Sequence, residues 1–172
     1  MTQIIRARDL GLASLSANDL ESRTVLVGGY REREVLPPYK TALDEEIGQR
    51  ILHYLKDKRF YTGRDASDLI AENPPQVFEV VGAELSICVP SLADEAIEYN
   101  HRVILNPNLI MDTCMGFPAY WRGRFLLRDL LGGRPERRCL IYGREFIFFK
   151  TTENKGDLSL DSSSYLSGYS SK

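Results

Sequence analysis

Between residues 120 and 144 the chain places aromatic and guanidinium side chains together. Tyr120, Trp121, Arg122, Arg124 and Phe125 are followed by Arg128, Arg134, Arg137, Arg138 and Arg144. Guanidinium groups hold carboxylates or phosphates with two parallel hydrogen bonds. Aromatic rings anchor protein interfaces or stack on nucleic-acid bases. Residues 118–150 carry a net charge of +5 and residues 1–117 a net charge of -6, while the whole chain is at -2. The segment therefore predicts a surface for an acidic protein partner, with RNA or DNA as the alternative. The opposite expectation is that Trp121 and Phe125 are core and the arginines pair with the acidic half of the chain.

A second set of residues could do covalent chemistry. A cysteine nucleophile needs a neighbouring base or cation to form its thiolate, and a third polar group to orient the base. Cys114, His101 and Asp112 form the sharpest set of this kind, and they predict, as the rival reading, a small cysteine-dependent enzyme. The segment Asp112-Thr113-Cys114-Met115-Gly116-Phe117 resembles the cysteine loop of papain-like cell-wall peptidases. In those enzymes the histidine follows the cysteine, whereas no histidine follows residue 101 here. Glu32-Arg33-Glu34 and Phe60-Tyr61-Thr62-Gly63-Arg64 each resemble fragments of ADP-ribosyltransferase motifs, again in reversed order. They read as charged surface turns.

Metal and cofactor chemistry has less to work with. The two histidines, His53 and His101, are far apart and no cysteine pair has ligand spacing, so neither a metal nor a cofactor is expected. Glu79 and Glu84 are the best-placed carboxylate pair for Mg²⁺, but the lysine of a Glu-x-Lys nuclease strand is missing. Gly28-Gly29 after a short strand could cradle a phosphate, yet neither GxGxxG nor GKS/GKT is present. Three widely spaced cysteines, no apolar run of membrane-spanning length and a charged N-terminus predict a soluble cytoplasmic protein, not bound to membranes.

These residues must be positioned by the elements around them. Thr41 predicts the cap of a helix over 42–59, whose leucines and isoleucines recur at i+4. A shorter helix is expected over 65–72. Residues 76–89 read as strand with a bend at Gly82, 92–98 as a helical turn, and 102–105 as a strand ended by Asn106-Pro107-Asn108. Pro118 starts a helix that stops at Gly132-Gly133. Residues 139–142 and 145–149 form a hairpin around Gly143-Arg144. The run from Phe146 to Phe149 has no alternation, so both of its faces should be covered, by a helix or by a second copy of the chain.

The resulting expectation is an α+β fold with a small, mainly antiparallel sheet, two or three helices, a C-terminal hairpin and a flexible tail. Residues 1–22 are an arm, 23–150 a single domain and 151–172 a serine-rich tail. The function expected is that of a non-catalytic accessory protein.

Overall fold

The computed structural model describes residues 4–6, 23–29 and 36–151. The fold is α+β, with four helices and a mixed sheet among the described residues. The strands are β1 (Ile4–Arg6), β2 (Thr24–Gly28), β3 (Phe60–Thr62), β4 (Val77–Gly82), β5 (Arg102–Ile110), β6 (Arg137–Tyr142) and β7 (Glu145–Lys150). The helices are α1 (Ala42–Leu55), α2 (Gly63–Glu72), α3 (Cys88–Glu98) and α4 (Ala119–Leu131). The sheet order is β1-β6-β7-β5-β4-β2-β3. The antiparallel pairing expected of the sheet is found where β7 meets β5 and β6, and the other pairs are parallel. None of the described helices is long and apolar enough to cross a membrane.

The strand sequences explain the layers. In β2, Val25 and Val27 face α1 while Leu26 faces α2 and α3. In β4, Phe78 and Val80 join the second layer, and Val81 packs with Ile47, Ile51 and Leu55 of α1. Parallel strands covered on both faces read as continuous apolar runs. β7 obeys the same rule: Phe146 and Phe148 enter the core beneath α3 and α4, and Ile147 packs with Val77, Ile104 and Leu140 on the opposite face. β7 is therefore an interior strand, hydrogen-bonded on both sides to β5 and β6, with Phe146, Ile147 and Phe148 buried within the chain itself.

α1 begins as its sequence dictates. Thr41 Oγ1 accepts from the Asp44 amide at 3.1 Å, and Asp44 Oδ2 accepts from the Thr41 amide at 3.0 Å, closing a capping box. The helix ends at Leu55, four residues short of the expected 59. Leu43 and Leu52, expected in its buried stripe, are exposed.

Two further expectations are corrected. Residues 83–89 do not continue a strand, because α3 begins at Cys88. Conversely, β5 does not stop at Asn106 but runs on to Ile110. Its register on β4 jumps from Val80 opposite Leu105 to Gly82 opposite Ile110, so the intervening residues of β5 bulge out of the ladder. The bulge holds Pro107, which has no N–H to donate to a neighbouring strand. Asn106 Oδ1 accepts from the Asn108 amide at 3.0 Å and closes the turn.

The glycines at the ends of β2 and β4 allow close packing. A Cβ on Gly28 would lie 2.9 Å from the Ala83 carbonyl oxygen, and one on Gly82 would lie 2.5 Å from the Gly28 oxygen. Gly82 also has a φ of 107°, which side chains disfavour. Gly28 thus serves strand packing, which accounts for it without a phosphate.

Candidate functional site

The helical and strand periods divide the arginines. Arg122 lies four and eight residues before Leu126 and Leu130, on the buried stripe of α4. It is 2% exposed, and its Nε and Nη1 donate to the carbonyls of Pro107 and Phe117, each at 2.9 Å. It thereby pins the β5 bulge to the start of α4. Arg137 lies two residues before the buried Cys139 on β6, on the same face. Its side chain is 1% exposed and pairs with Asp94 and Glu98 of α3. Arg134 also reaches Asp94, at 3.0 Å, and Lys150 reaches Glu98, at 2.7 Å. Arg138 donates to the carbonyls of Pro135 and Arg137. The basic segment thus turns part of its charge inward onto α3, and Arg122 and Arg137 are architecture, not a binding surface.

The outer face of α4 is different. Trp121 is 50% exposed. The Arg124 guanidinium carbon lies 5.5 Å from the Tyr120 ring centroid and 5.4 Å from that of Trp121. Arg128 lies 4.7 Å from the centroid of Phe125. Both arginines are exposed, as is Arg144 in the hairpin loop. The structure thus groups Tyr120, Trp121, Arg124 and Arg128 on one helix and leaves Arg144 in a separate loop.

The cysteine-enzyme constellation is not assembled. His101 precedes β5 and Asp112 and Cys114 follow it, so the nine residues of the strand hold them roughly 20–30 Å apart. The imidazole is buried and spent on the backbone: Nδ1 accepts from the Gln76 amide at 3.1 Å, and Nε2 lies 2.8 Å from the Ile70 carbonyl and donates to it. Asp112 accepts from the Met115 and Phe117 amides at 2.9 and 3.0 Å and shapes the loop before α4. Cys114 is exposed, Cys88 half-buried and Cys139 fully buried, where burial pushes its thiol pKa up. With a thiol reagent such as Ellman's, Cys114 should react first and Cys139 only on unfolding. Early labelling of Cys139 would contradict the packing around β6.

A polar cluster that sequence reasoning did not assemble lies on the α1 face of the sheet. Glu79 alternates with Val77 and Val81 along β4 and so points into an apolar layer, where it is 1% exposed. The Tyr54 hydroxyl of α1 donates to its Oε2, and Arg23 Nη1 approaches its Oε1 at 3.3 Å. The same guanidinium grips Glu145 of β7 at 2.7 and 3.4 Å. Burial raises the Glu79 pKa, against the opposing pull of the Tyr54 hydrogen bond and the Arg23 charge. Burial and the bond to Glu79 raise that of Tyr54. Two clefts share Tyr54 and Glu145 as walls. One, of about 670 Å³, opens toward β3, and the other, of about 450 Å³, reaches the β5 bulge at Asn106 and Asn108. The signal in the sequence was Glu79 itself, a lone acid in an otherwise apolar strand.

Glu84, expected beside Glu79, instead accepts from Thr113 through both the amide and the hydroxyl. Among the described residues, no group of three or more His, Cys, Asp or Glu side chains could hold a metal ion. Glu32-Arg33-Glu34 lies outside the described residues, as does the tail beyond Thr151. Of the expected arm, Ile4–Arg6 is described and pairs with β6 as β1.

The ion pairs that Glu98 of α3 makes with Arg137 of β6 and Lys150 of β7 carry a pH signature. Hydrogen bonds from Lys150 and then Arg137 lower the Glu98 pKa to about 2. The unfolded value is about 4.3. A depressed carboxylate contributes stability that is present above its unfolded value and is lost as the pH falls through the folded one. Glu98→Gln should therefore lower the melting temperature at pH 6, and the gap to the unaltered protein should close between about pH 4.3 and 2. A gap independent of pH would show that Glu98 is not held ionised by these partners.

Compared with known proteins, the chain matches no family model, no curated protein and no solved structure.

Proposed function

We propose that this is a non-catalytic accessory protein that binds an acidic protein partner through the outer face of α4. One observation carries the reading. Trp121 stands half-exposed beside Tyr120 with Arg124 over both rings, and neither Arg124 nor Arg128 has a carboxylate partner among the described residues. Arginines four residues apart on a helix repel each other, so stability alone does not favour the pair. Tryptophan, tyrosine and arginine are the residue types that dominate interface energies. A protein partner is favoured over nucleic acid because the basic groups beside Trp121 on this face are the two arginines Arg124 and Arg128, whereas a nucleic-acid module carries a broad basic field. Three unpaired cysteines suit a reducing compartment, which supports a cytoplasmic location.

Trp121 is the one tryptophan in the chain, so its fluorescence reports on this face directly. Titration with poly-glutamate should shift its emission to the blue, and the shift should fall with added salt as the attraction is screened. Arg124→Ala and Arg128→Ala should weaken binding while leaving folding within about 0.5 kcal/mol. No spectral response to poly-glutamate would defeat the reading. A stronger response to a single-stranded oligonucleotide would replace it with nucleic-acid binding.

A further inference from the structure

We propose that the cleft at the carboxyl end of α1 binds a small phosphorylated ligand that carries a flat ring, of the nucleotide class. The cleft is bordered by Arg23, Tyr54, Lys58, Arg59, Tyr61 and Glu145 and is an open hollow of about 670 Å³, in the size range of small-molecule sites. Its charge is unbalanced. Arg23 is shared between Glu145 and the buried Glu79, while the exposed Lys58 and Arg59 have no carboxylate partner among the described residues. Lys58 Nζ instead lies 4.5 Å from the Tyr54 ring centroid, and the Arg59 guanidinium carbon 5.2 Å from that of Tyr61.

Two exposed cations resting on rings make weak contacts that an anion can supplement or replace. The end of a helix presents roughly half a negative charge, which two full positive charges outweigh. They suit a phosphate, which carries more charge than a single carboxylate. The tyrosines supply the other half of the recognition, since an aromatic face accepts any flat base. The Tyr54 wall is already in place before a ligand arrives. Its hydroxyl is fixed on the buried Glu79, whose other oxygen faces Arg23, so little ordering remains to be done on binding. A divalent cation is a poorer occupant, because Glu79 and Glu145 are both already engaged by Arg23.

The test is calorimetric titration of the full chain, at low salt, with AMP, adenosine, ribose 5-phosphate and inorganic phosphate. AMP should bind with a dissociation constant on the order of 100 µM. Adenosine and inorganic phosphate should each bind at least roughly tenfold more weakly, because each lacks one half of the contacts. Lys58→Glu with Arg59→Glu should abolish AMP binding. Both residues are exposed, so the variant should remain folded, its melting temperature lowered by no more than a few degrees by the two acids at the helix end, and Lys58→Ala alone should give a smaller loss of binding in the same direction. Tyr61→Ala should weaken AMP but not ribose 5-phosphate. Arg124→Ala should leave AMP binding unchanged, which separates this site from the face of α4. AMP binding weaker than about 5 mM, or binding unaffected by the double charge reversal, would overturn the proposal. Ribose 5-phosphate binding as tightly as AMP would overturn the ring requirement.

Discussion

Arg137→Ala will destabilise the protein by about 3 kcal/mol, whereas Arg124→Ala, on the outer face of α4, will change its stability by less than about 0.5 kcal/mol. Both are arginines in the same basic segment, and only their surroundings differ. Arg137 fills buried volume, joins Asp94 to Glu98 and donates to the Leu130 carbonyl at 3.2 Å. Removing it leaves a cavity and takes from each acid one of its two cationic partners, Asp94 keeping Arg134 and Glu98 keeping Lys150. Both acids are partly exposed and can rehydrate, which holds the cost to the lower end of the range for broken buried pairs. The Nε of Arg137 is the one buried side-chain polar atom without a partner among the described residues, so the pairing is not optimal as it stands. Arg137→Met separates the contributions. It restores packing but not charge, and should recover part of the loss seen with alanine. Urea unfolding of the three variants decides the matter, and equal stability of Arg137→Ala and Arg124→Ala would refute the division of the arginines into inner and outer sets.

Phe148→Ala will cost about 3–5 kcal/mol, the range for deleting a large buried aromatic side chain. Phe148 is fully buried in the main core, with its strand flanked by β5 and β6 and its ring 6.3 Å from that of Phe146. The neighbouring Phe149 is only partly buried and belongs to the opposite face, so Phe149→Ala should cost distinctly less. A near-neutral Phe148→Ala in thermal or urea unfolding would mean that β7 is not the interior strand described above.

Much of the local structure was legible because its causes are local. The capping box at Thr41, the i+4 repeat of Ile47, Ile51 and Leu55, the stop after Leu131 and the two-residue loop at Gly143 all express short-range chemistry. The order of the strands was not legible, since pairs such as Ile4 with Cys139 join residues far apart in the chain. Residues 83–89 alternate in polarity as a strand does, but Ile87 is exposed just before α3. The end of β5 is hidden in the sequence because Pro107 breaks a strand only where the ladder needs its N–H, and a bulge removes that need.

The candidate sites divide in the same way. Composition treats Arg122 and Arg124 alike, yet Arg122 shares its helix face with Leu126 and Leu130, and Arg124 shares its own with Arg128. Period alone would have told them apart. The cluster around Glu79 was less accessible. The strand period places the acid inside, but only the tertiary fold brings Arg23, Tyr54 and Glu145 to it.

The interior position of β7 also bears on how the protein is made. β2 to β5 are neighbours in the sheet and precede β6 and β7 in the chain, so until β7 is made one edge of β5 has no partner. β6 arrives next and cannot pair with that edge in the final arrangement, because the place beside β5 belongs to a strand not yet translated. Only when residues 145–150 emerge can the hairpin close the gap and let β1, made first, find its neighbour. The sheet is thus completed by the earliest and the latest of the described strands together. A nascent chain arrested before Glu145 would carry an open, hydrophobic strand edge, the kind of surface that chaperones hold and aggregates recruit.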